Sequence, residues 1–375
     1  MDQLPDKLRK QLSDRKLAQL YRQLPSPMDG LTDFYSNDYL GYSRLKVEGG
    51  INETGGATGS RLISGNSRLA EEVEDHLAHF HQAEAALLFG SGYAANIGLL
   101  SAVVGRKDTI VYDKLLHASL RDGITLSRAR ALGFVHNDLD DLKQKIKAAS
   151  GQIFVVVESI YSMDGDVAPL AQIAECCQQA GAALIVDEAH STGVLGEKGE
   201  GQVVAEGLHS QVFARIHTFG KAIGSHGAVV VGSQLLKEYL INFARSFIYS
   251  TALPVHTLLS IQRAYRQLAV GQELAQLQAN IDFFLANFPP LLRDRLVPST
   301  SPVQAFLCPG NEAVTALSQR LLANGMAVLP IRYPTVPAGE ERLRICLHSF
   351  NTKEEMKHLL FLLDAVTPEP DLKHS

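Results

Sequence analysis

The chain has 375 residues, of which 46% are hydrophobic and 20% charged, so it can form a large core and is unlike a disordered or fibrous protein. Its 35 lysines and arginines against 40 aspartates and glutamates give a formal net charge of -5 without a basic tract, which argues against a nucleic-acid partner. Its apolar runs are much shorter than the roughly 18 residues of a membrane helix, so we expect no membrane association.

The N-terminal residues predict a helical arm. Leucines near helical spacing over 4–24 indicate a polar helix that Pro-Ser-Pro at 25–27 ends, and 33–40 suggests a short extended segment. Residues 1–15 hold no apolar stretch of the secretory type, and four cysteines form no disulfide-rich pattern. We therefore expect a cytoplasmic protein with reduced thiols.

The central part of the chain alternates apolar runs with helical patterns. A glycine-rich loop over 49–65 precedes a helix with Asn66 or Ser67 as its N-cap. Strands that are apolar throughout are covered on both faces, which predicts a three-layer α/β/α sandwich around a mostly parallel sheet. The runs that predict strands and helices are 85–89, 109–112, 153–157, 183–186 and 228–231 for strands, and 139–149 and 170–179 for helices.

After about residue 270 the pattern changes to a long helix over 273–287, short strands and a final helix over 353–363. This change predicts a smaller C-terminal α+β domain. We expect an arm over 1–40, a large cofactor-binding α/β domain over 41–272 and the small domain over 273–375.

Residues 90–95, Gly-Ser-Gly-Tyr-Ala-Ala, match the dinucleotide pattern G-x-G-x-x-A, and Asp113 follows at a plausible distance for a ribose contact. That pattern normally lies in the first βα turn of its domain, whereas a glycine-rich region and a helix precede it here. This position argues against an NAD-dependent oxidoreductase, although a helix N-terminus can still bind a phosphate.

Residues 187–190, Asp-Glu-Ala-His, resemble a helicase box, which would need a phosphate loop G-x-x-x-x-G-K-[ST]. The pair Gly220-Lys221 has Arg215 in place of the first glycine and Ala222 after the lysine, so the NTPase hypothesis fails. Three histidines on the helix after Ser67 are interpreted as part of a solvated face, and we predict no metal site: His76, His79 and His81.

Polar side chains follow several of the apolar runs and should meet at one edge of the sheet. Asp187 ends a buried strand, and Lys221 stands among apolar neighbours. Burying either charged side chain costs free energy unless it meets a partner, as it would in a binding site. Singly, each has an ordinary explanation, such as a surface lysine or an N-cap aspartate. Together with His117, Ser162, His190 and Thr218 they fit pyridoxal phosphate, whose ring nitrogen pairs with an aspartate and whose aldehyde bonds to a lysine.

An ordered series of motifs resembles the α-oxoamine synthases, pyridoxal-phosphate enzymes with the aspartate-aminotransferase-like fold type I. The resemblance covers nearly the whole chain and implies a homodimer with a shared active site. The motifs that carry it are Ser-Asn-Asp-Tyr-Leu-Gly at 36–41 and the segments 92–96, 117–120, 162–166, 187–190, 218–221 and 342–344.

The resemblance implies a role for each matching residue. Lys221 would form the Schiff base with the cofactor and later move the proton, Asp187 would pair with the ring nitrogen, and His117 would stack on the ring. Ser162 and His190 would lie near the phenolic oxygen. Further cofactor contacts would come from Gly92, Tyr93 and Thr218, and from Ser250 and Thr251 across the dimer interface.

On the substrate side, Arg344 would bind the amino acid carboxylate, with Asn37 and Thr335 as further contacts; a solvated edge shared with Arg342 is the alternative. The implied reaction joins a small amino acid to an acyl thioester, carried by coenzyme A or a carrier protein, with loss of carbon dioxide. Members that use L-alanine and a pimeloyl thioester on the biotin pathway are most similar, and those that use glycine or serine are alternatives.

Two departures from the family pattern concern the acyl group. The stretch 43–55 is short, and Tyr21 stands where some biotin-pathway members have an arginine. A silent regulator on this fold would lack Lys221 or Asp187, and an aminotransferase would use an amino donor without consuming a thioester.

Overall fold

The computed structural model describes residues 4–18, 20–22, 24, 27–46 and 55–366. Within these ranges, no helix is long and apolar enough to cross a membrane. The helices are α1 Asp6–Leu17, α2 Arg68–Phe80, α3 Gly92–Val103, α4 Ala118–Ser127, α5 Leu139–Lys147, α6 Leu170–Ala180, α7 Gln202–Ala205, α8 Gln234–Phe243, α9 Arg245–Ile248, α10 Val255–Val270, α11 Glu273–Asn287, α12 Asn311–Ala323 and α13 Lys353–Val366.

The strands form three sheets, of which the largest has seven strands in the order β2-β8-β7-β6-β5-β3-β4. The strands are β1 Thr32–Asp33, β2 Ala85–Phe89, β3 Thr109–Asp113, β4 Arg130–Phe134, β5 Ile153–Glu158, β6 Ala183–Asp187, β7 Ala214–Thr218, β8 Ala228–Gly232, β9 Val303–Leu307, β10 Met326–Ala327, β11 Leu329–Ile331 and β12 Arg342–Cys346.

The seven-stranded sheet is mostly parallel, as predicted, and helices pack on its faces. Only β8 runs antiparallel to its neighbours β2 and β7. Since β2 and β7 are both antiparallel to β8, they run in the same direction as the rest of the sheet. The carboxyl ends of β2, β3, β5, β6 and β7 therefore meet at one edge, which the loops to α3 and α4 and the segments after β5, β6 and β7 cover.

The sequence did not predict two strands of this sheet, β4 and β7. The edge strand β4 is exposed at its first residues, so it lacks a continuous apolar run. In β7, Arg215 and His217 interrupt the apolar pattern, although both side chains are buried. The expected extended segment over 33–40 is also wrong, because only Thr32–Asp33 forms a strand and bends and turns follow. The arm helix, expected over 4–24, is confined to Asp6–Leu17.

The C-terminal region packs on the sheet through a shared apolar core. An antiparallel sheet, β11-β12-β9, lies beside α11, α12 and α13, and Phe284, Leu317 and Leu360 belong to the same buried cluster as Val229 of β8. The arm joins this region, because β1 pairs in parallel with β10. The boundaries at residues 40 and 272 remain a prediction.

Candidate active site

A cavity of about 150 Å³ lies where the N-terminus of α3 faces the carboxyl ends of β5, β6 and β7. We call it the lysine cavity, because Lys221 forms part of its wall. It brings together six residues that the sequence predicted and three that it did not: Gly92, Tyr93, His117, Asp187, Thr218 and Lys221, with Asn96, Ser119 and Glu158.

Asp187 is the last residue of β6 and its side chain is buried. Its Oδ1 accepts from the backbone N–H of Ala189 at 2.9 Å, and its Oδ2 accepts from Nδ2 of Asn96 at 2.8 Å. A carboxylate has about four acceptor positions, so Asp187 retains acceptor capacity toward the cavity. That capacity suits a protonated ring nitrogen.

Lys221 follows β7, in a turn that Ser225 closes by donating its N–H to the carbonyl of Phe219 at 2.8 Å. Burial among protein atoms lowers the pKa of Lys221 to about 8, although the negative charges of Asp187 and Glu158 oppose the shift. A lysine with a lowered pKa has a larger fraction of free amine, which is the form that reacts with an aldehyde.

His117 is the N-cap of α4 and belongs to a chain of hydrogen bonds that reaches Asp187. Asn96 Nδ2 also donates to Oγ of Ser119 at 2.9 Å, and Oγ of Ser119 lies 2.7 Å from Nδ1 of His117. The N–H of Ser119 donates to the same Nδ1, so Nδ1 is the acceptor and the neutral ring has its proton on Nε2. Burial lowers the pKa of His117, which favours this neutral form.

Glu158 ends β5 beside Asp187, its partner in the β5–β6 register. Its Oε1 accepts from the backbone N–H of His117. Burial and the negative charge of Asp187 raise the pKa of Glu158 to about 8, so the carboxyl tends to retain its proton near neutral pH. A glutamate that ends an otherwise apolar run was the available sequence signal, and it was missed.

Arg344 lies on β12 and is buried, so the alternative of a solvated edge is wrong for it and for Arg342. Its Nε donates to the carbonyl of Ser162 at 2.6 Å, and its Nη2 donates to Oδ1 of Asn37 at 2.9 Å. Tyr39 connects this group to His190, because its hydroxyl lies 2.8 Å from Nδ1 of His190. The network therefore unites four predicted residues.

A second cavity, of about 460 Å³, shares His117 with the lysine cavity, and we call it the outer cavity. Ser162 and Thr335 line it, as does Arg22, whereas Tyr21 is not among its lining residues. The short stretch over 43–55 falls largely on residues 47–54, which lie outside the described residues.

Ser250 and Thr251 do not line the lysine cavity of their own chain. Both are exposed, and they lie beside a different small cavity together with Arg61 and Ala252. Thr251 also forms an isolated antiparallel bridge with Ser60. Within one chain, the structure therefore leaves these predicted cofactor contacts apart from Lys221.

The lysine cavity fits pyridoxal phosphate. It holds a half-buried lysine together with the carboxylate of Asp187, and Oδ1 of Asn96 is buried without a partner. The N-terminus of α3 supplies N–H groups for a phosphate. A Cβ added to Gly92 would come 3.2 Å from Oγ1 of Thr218, so glycine leaves room at this position.

The other motifs have structural roles. Asp113 accepts hydrogen bonds from His136, and Glu188 accepts from the N–H of Val203 at 3.0 Å, so neither carboxylate is available to a nucleotide. His81 contradicts the expected solvated face, because it is buried and stacks on His217 with 3.7 Å between ring centroids. Among the described residues, no cluster of ligands could hold a metal ion.

Comparison with known proteins identifies relatives over nearly the whole chain. The family model for aminotransferases of class I and II matches residues 29–362. An 8-amino-7-oxononanoate synthase from Emericella nidulans is 40% identical, covering 95% of this chain and 94% of that protein. A second protein of that name, from Marinobacter nauticus, is 39% identical over 97% of this chain and 99% of its own length.

Solved structures are also similar to this chain over most of its length. A serine palmitoyltransferase from S. paucimobilis, solved with a bound pyridoxal-phosphate–myriocin aldimine, has a TM-score of 0.86 at 26% identity and covers 96% of both chains. The 8-amino-7-oxononanoate synthase from Francisella tularensis has a TM-score of 0.76 at 31% identity, covering 90% of this chain and 98% of that one.

Proposed function

This chain belongs to the class I and II aminotransferase family and is a pyridoxal-phosphate enzyme, and we propose that it joins L-alanine to a pimeloyl thioester. The products are 8-amino-7-oxononanoate, carbon dioxide and the free thiol, a step of biotin biosynthesis. The observation that carries the proposal is the lysine cavity, in which Lys221, Asp187 and His117 lie together beside the buried Arg344 network.

Each residue around the cofactor has a separate role in binding it. Lys221 would hold the cofactor through Nζ, and Asp187 would accept a hydrogen bond from its ring nitrogen. The neutral His117 would lie against the ring, with its Nε2–H available to donate toward the reacting groups. The remaining contacts come from Gly92, Tyr93, Thr218, Ser162 and His190.

When bound, pyridoxal phosphate stabilises negative charge at the α-carbon of the amino acid. Lys221, once the amino acid has replaced it, is an amine with a lowered pKa and accepts the α-proton at Nζ. Asp187 keeps the ring nitrogen protonated. Asn96 holds the carboxylate of Asp187 in place at 2.8 Å.

Arg344 binds the carboxylate of the amino acid. A guanidinium suits this task because its planar set of donors matches two carboxylate oxygens. Its bond to Oδ1 of Asn37 fixes the side chain before substrate arrives. Thr335 lies in the outer cavity, where we place the acyl thioester.

The active form is a homodimer in which Ser250 and Thr251 bind the cofactor phosphate of the partner subunit. Their exposure and their separation from the lysine cavity of their own chain support this assignment. All four cysteines are free, which suits the reducing cytoplasm where we place the enzyme.

The test is to supply the purified enzyme with pyridoxal phosphate, a pimeloyl thioester and L-alanine, glycine or L-serine in turn. Free thiol is measured continuously, and the product is identified by mass. We expect thiol release to be fastest with L-alanine and absent from Lys221→Ala. Faster release with glycine or L-serine would assign the chain to another α-oxoamine synthase activity. Amino transfer without thiol release would contradict the proposal.

A further inference from the structure

His136 lines neither cavity, yet each of its ring nitrogens faces a different carboxylate. Nδ1 lies 3.0 Å from Oδ1 of Asp113, and Nε2 lies 2.7 Å from Oδ2 of Asp166. Ionised carboxylates only accept hydrogen bonds, so both ring nitrogens must donate. A histidine with two N–H donors is the imidazolium cation.

The electrostatic surroundings agree with this geometry. Burial alone would lower the pKa of His136, but its hydrogen bonds to Asp113 and Asp166, and their negative charges, raise that pKa to about 9. Tyr161 packs edge-on against the imidazole, with 4.4 Å between ring centroids.

Asp113 connects His136 to the segment that ends at His117. It is the last residue of β3, and the Oδ1 that faces His136 also accepts from the N–H of Leu115 at 2.8 Å. The position of Asp113 therefore sets the start of the segment 114–117, which places the N-cap of α4.

Asp166 connects His136 to the turn that carries Ser162. The N–H of Tyr161 donates to the carbonyl of Asp166 at 3.0 Å, and the N–H of Gly165 donates to the carbonyl of Tyr161 at 2.8 Å. These bonds close the turn 161–166. The side chain of Asp166 extends from the turn to His136.

The segment and the turn both line the outer cavity. Leu115, Leu116 and His117 come from the segment, and Ser162 and Met163 come from the turn. We propose that His136 is a positioning residue for the acyl thioester, an imidazolium that ties the segment 114–117 to the turn 161–166 and so fixes the outer cavity. This inference rests on the proposed function, which assigns that cavity to the acyl group.

A neutral side chain at position 136 would leave Asp113 and Asp166 without their shared cation. The connection between the segment and the turn would then rest on the uncharged Asn137, whose N–H donates to Asp113 at 3.0 Å and whose Nδ2 donates to Asp166 at 2.9 Å, so it would loosen. Lys221 and Asp187 would keep their own contacts. Arg344 would keep its bonds to Asn37 and Cys346, and only its bond to the carbonyl of Ser162 reaches the loosened turn. The substitution should therefore weaken binding of the acyl thioester more than binding of the amino acid.

The first test measures the protonation state and does not depend on activity. Histidines of the holoenzyme are labelled with ¹⁵N, and the signal of His136 is identified by its absence from His136→Gln. At about pH 7.5, we expect both ring nitrogens to carry a proton. A ring with one protonated nitrogen would overturn the inference.

The second test separates the two substrates. In His136→Gln, we expect the KM for the acyl thioester to rise about tenfold and the KM for L-alanine to change by less than about twofold. His358→Gln, on the exposed face of α13, is the matched control and should behave as the wild type.

Equal changes in both KM values, or no change in either, would overturn the inference. A variant that folds poorly would lower kcat through a smaller active fraction and leave both KM values unchanged, which also counts against a positioning role. A wild-type enzyme that releases no thiol would instead contradict the proposed function. An active wild type with an indistinguishable His136→Gln would contradict only the inference.

Discussion

Asn96 donates a hydrogen bond from Nδ2 to Oδ2 of Asp187 across 2.8 Å. The second hydrogen of the same amide reaches Oγ of Ser119, which in turn contacts His117. One uncharged side chain thus connects the carboxylate assigned to the ring nitrogen with the histidine assigned to the ring face. Movement of either group would strain the other.

We predict that Asn96→Ala lowers kcat/KM by about tenfold, because Asp187 and Ser119 both lose a fixed donor. The variant should also bind pyridoxal phosphate more weakly, which titration of the cofactor-free protein with pyridoxal phosphate measures. Asn242→Ala, on the exposed surface of α8, is the control. Equal cofactor affinity in the two variants would contradict the role of Asn96.

The roles of Asn96 and Ser119 could not be derived from the pattern of apolar runs. The predicted residues follow apolar runs, where the topology of a parallel sheet brings side chains to one edge. Asn96 instead lies inside α3, and Ser119 lies in the first turn of α4. Their roles depend on how the two helices pack against the sheet, which periodicity does not specify.

The strands and helices were easier to predict from the sequence than the side-chain contacts. Continuous apolar runs identified β2, β3, β5, β6 and β8, and helix α11 has the predicted bounds, Glu273–Asn287. The buried Arg215 and His217 hid β7, because polar and charged side chains inside a core look like surface residues in a sequence. The edge strand β4 was missed because its first residues are exposed, so its sequence has no continuous apolar run.

Glu158 should make the cofactor-free protein less stable as the pH rises. Its folded-state pKa of about 8 lies above the ordinary value of 4.5, so between these values the folded state retains a proton that the unfolded state releases. The free energy of unfolding therefore falls with increasing pH in that window.

We expect Glu158→Gln to remove this part of the slope. Urea denaturation gives the free energy of unfolding at each pH. Its fall between about pH 6 and pH 8 should be smaller by about 1 kcal/mol or more in the variant than in the wild type. Glu238→Gln, on the exposed face of α8, provides the control. Parallel pH profiles for the wild type and Glu158→Gln would show that Glu158 is ionised in the folded protein.

Arg344→Lys should raise the KM for L-alanine by about 30-fold, because an ammonium group cannot reproduce the two parallel hydrogen bonds of a guanidinium. The KM for the acyl thioester should change far less. Steady-state kinetics with each substrate varied in turn measure both values. Arg320→Lys, on the surface helix α12, is the matched control, and a larger effect on the thioester than on L-alanine would contradict the assignment.

The shared active site predicts complementation between two inactive variants. Lys221→Ala lacks the cofactor bond, and the double variant Ser250→Ala/Thr251→Ala lacks the donated phosphate contacts. Mixed after reversible dissociation, they should form heterodimers in which one of two sites is intact, giving about one quarter of wild-type activity. No recovery from a mixture whose heterodimers are verified by mass would place Ser250 and Thr251 outside the partner's site.

The most direct measurement of the central claim is to reduce the enzyme with borohydride and locate the cofactor by peptide mass spectrometry. Reduction turns the Schiff base between pyridoxal phosphate and a lysine into a stable bond. The account predicts that the modification lies on Lys221 and nowhere else in the chain. A cofactor fixed to another lysine, or a fully loaded enzyme with no modified lysine, would contradict it.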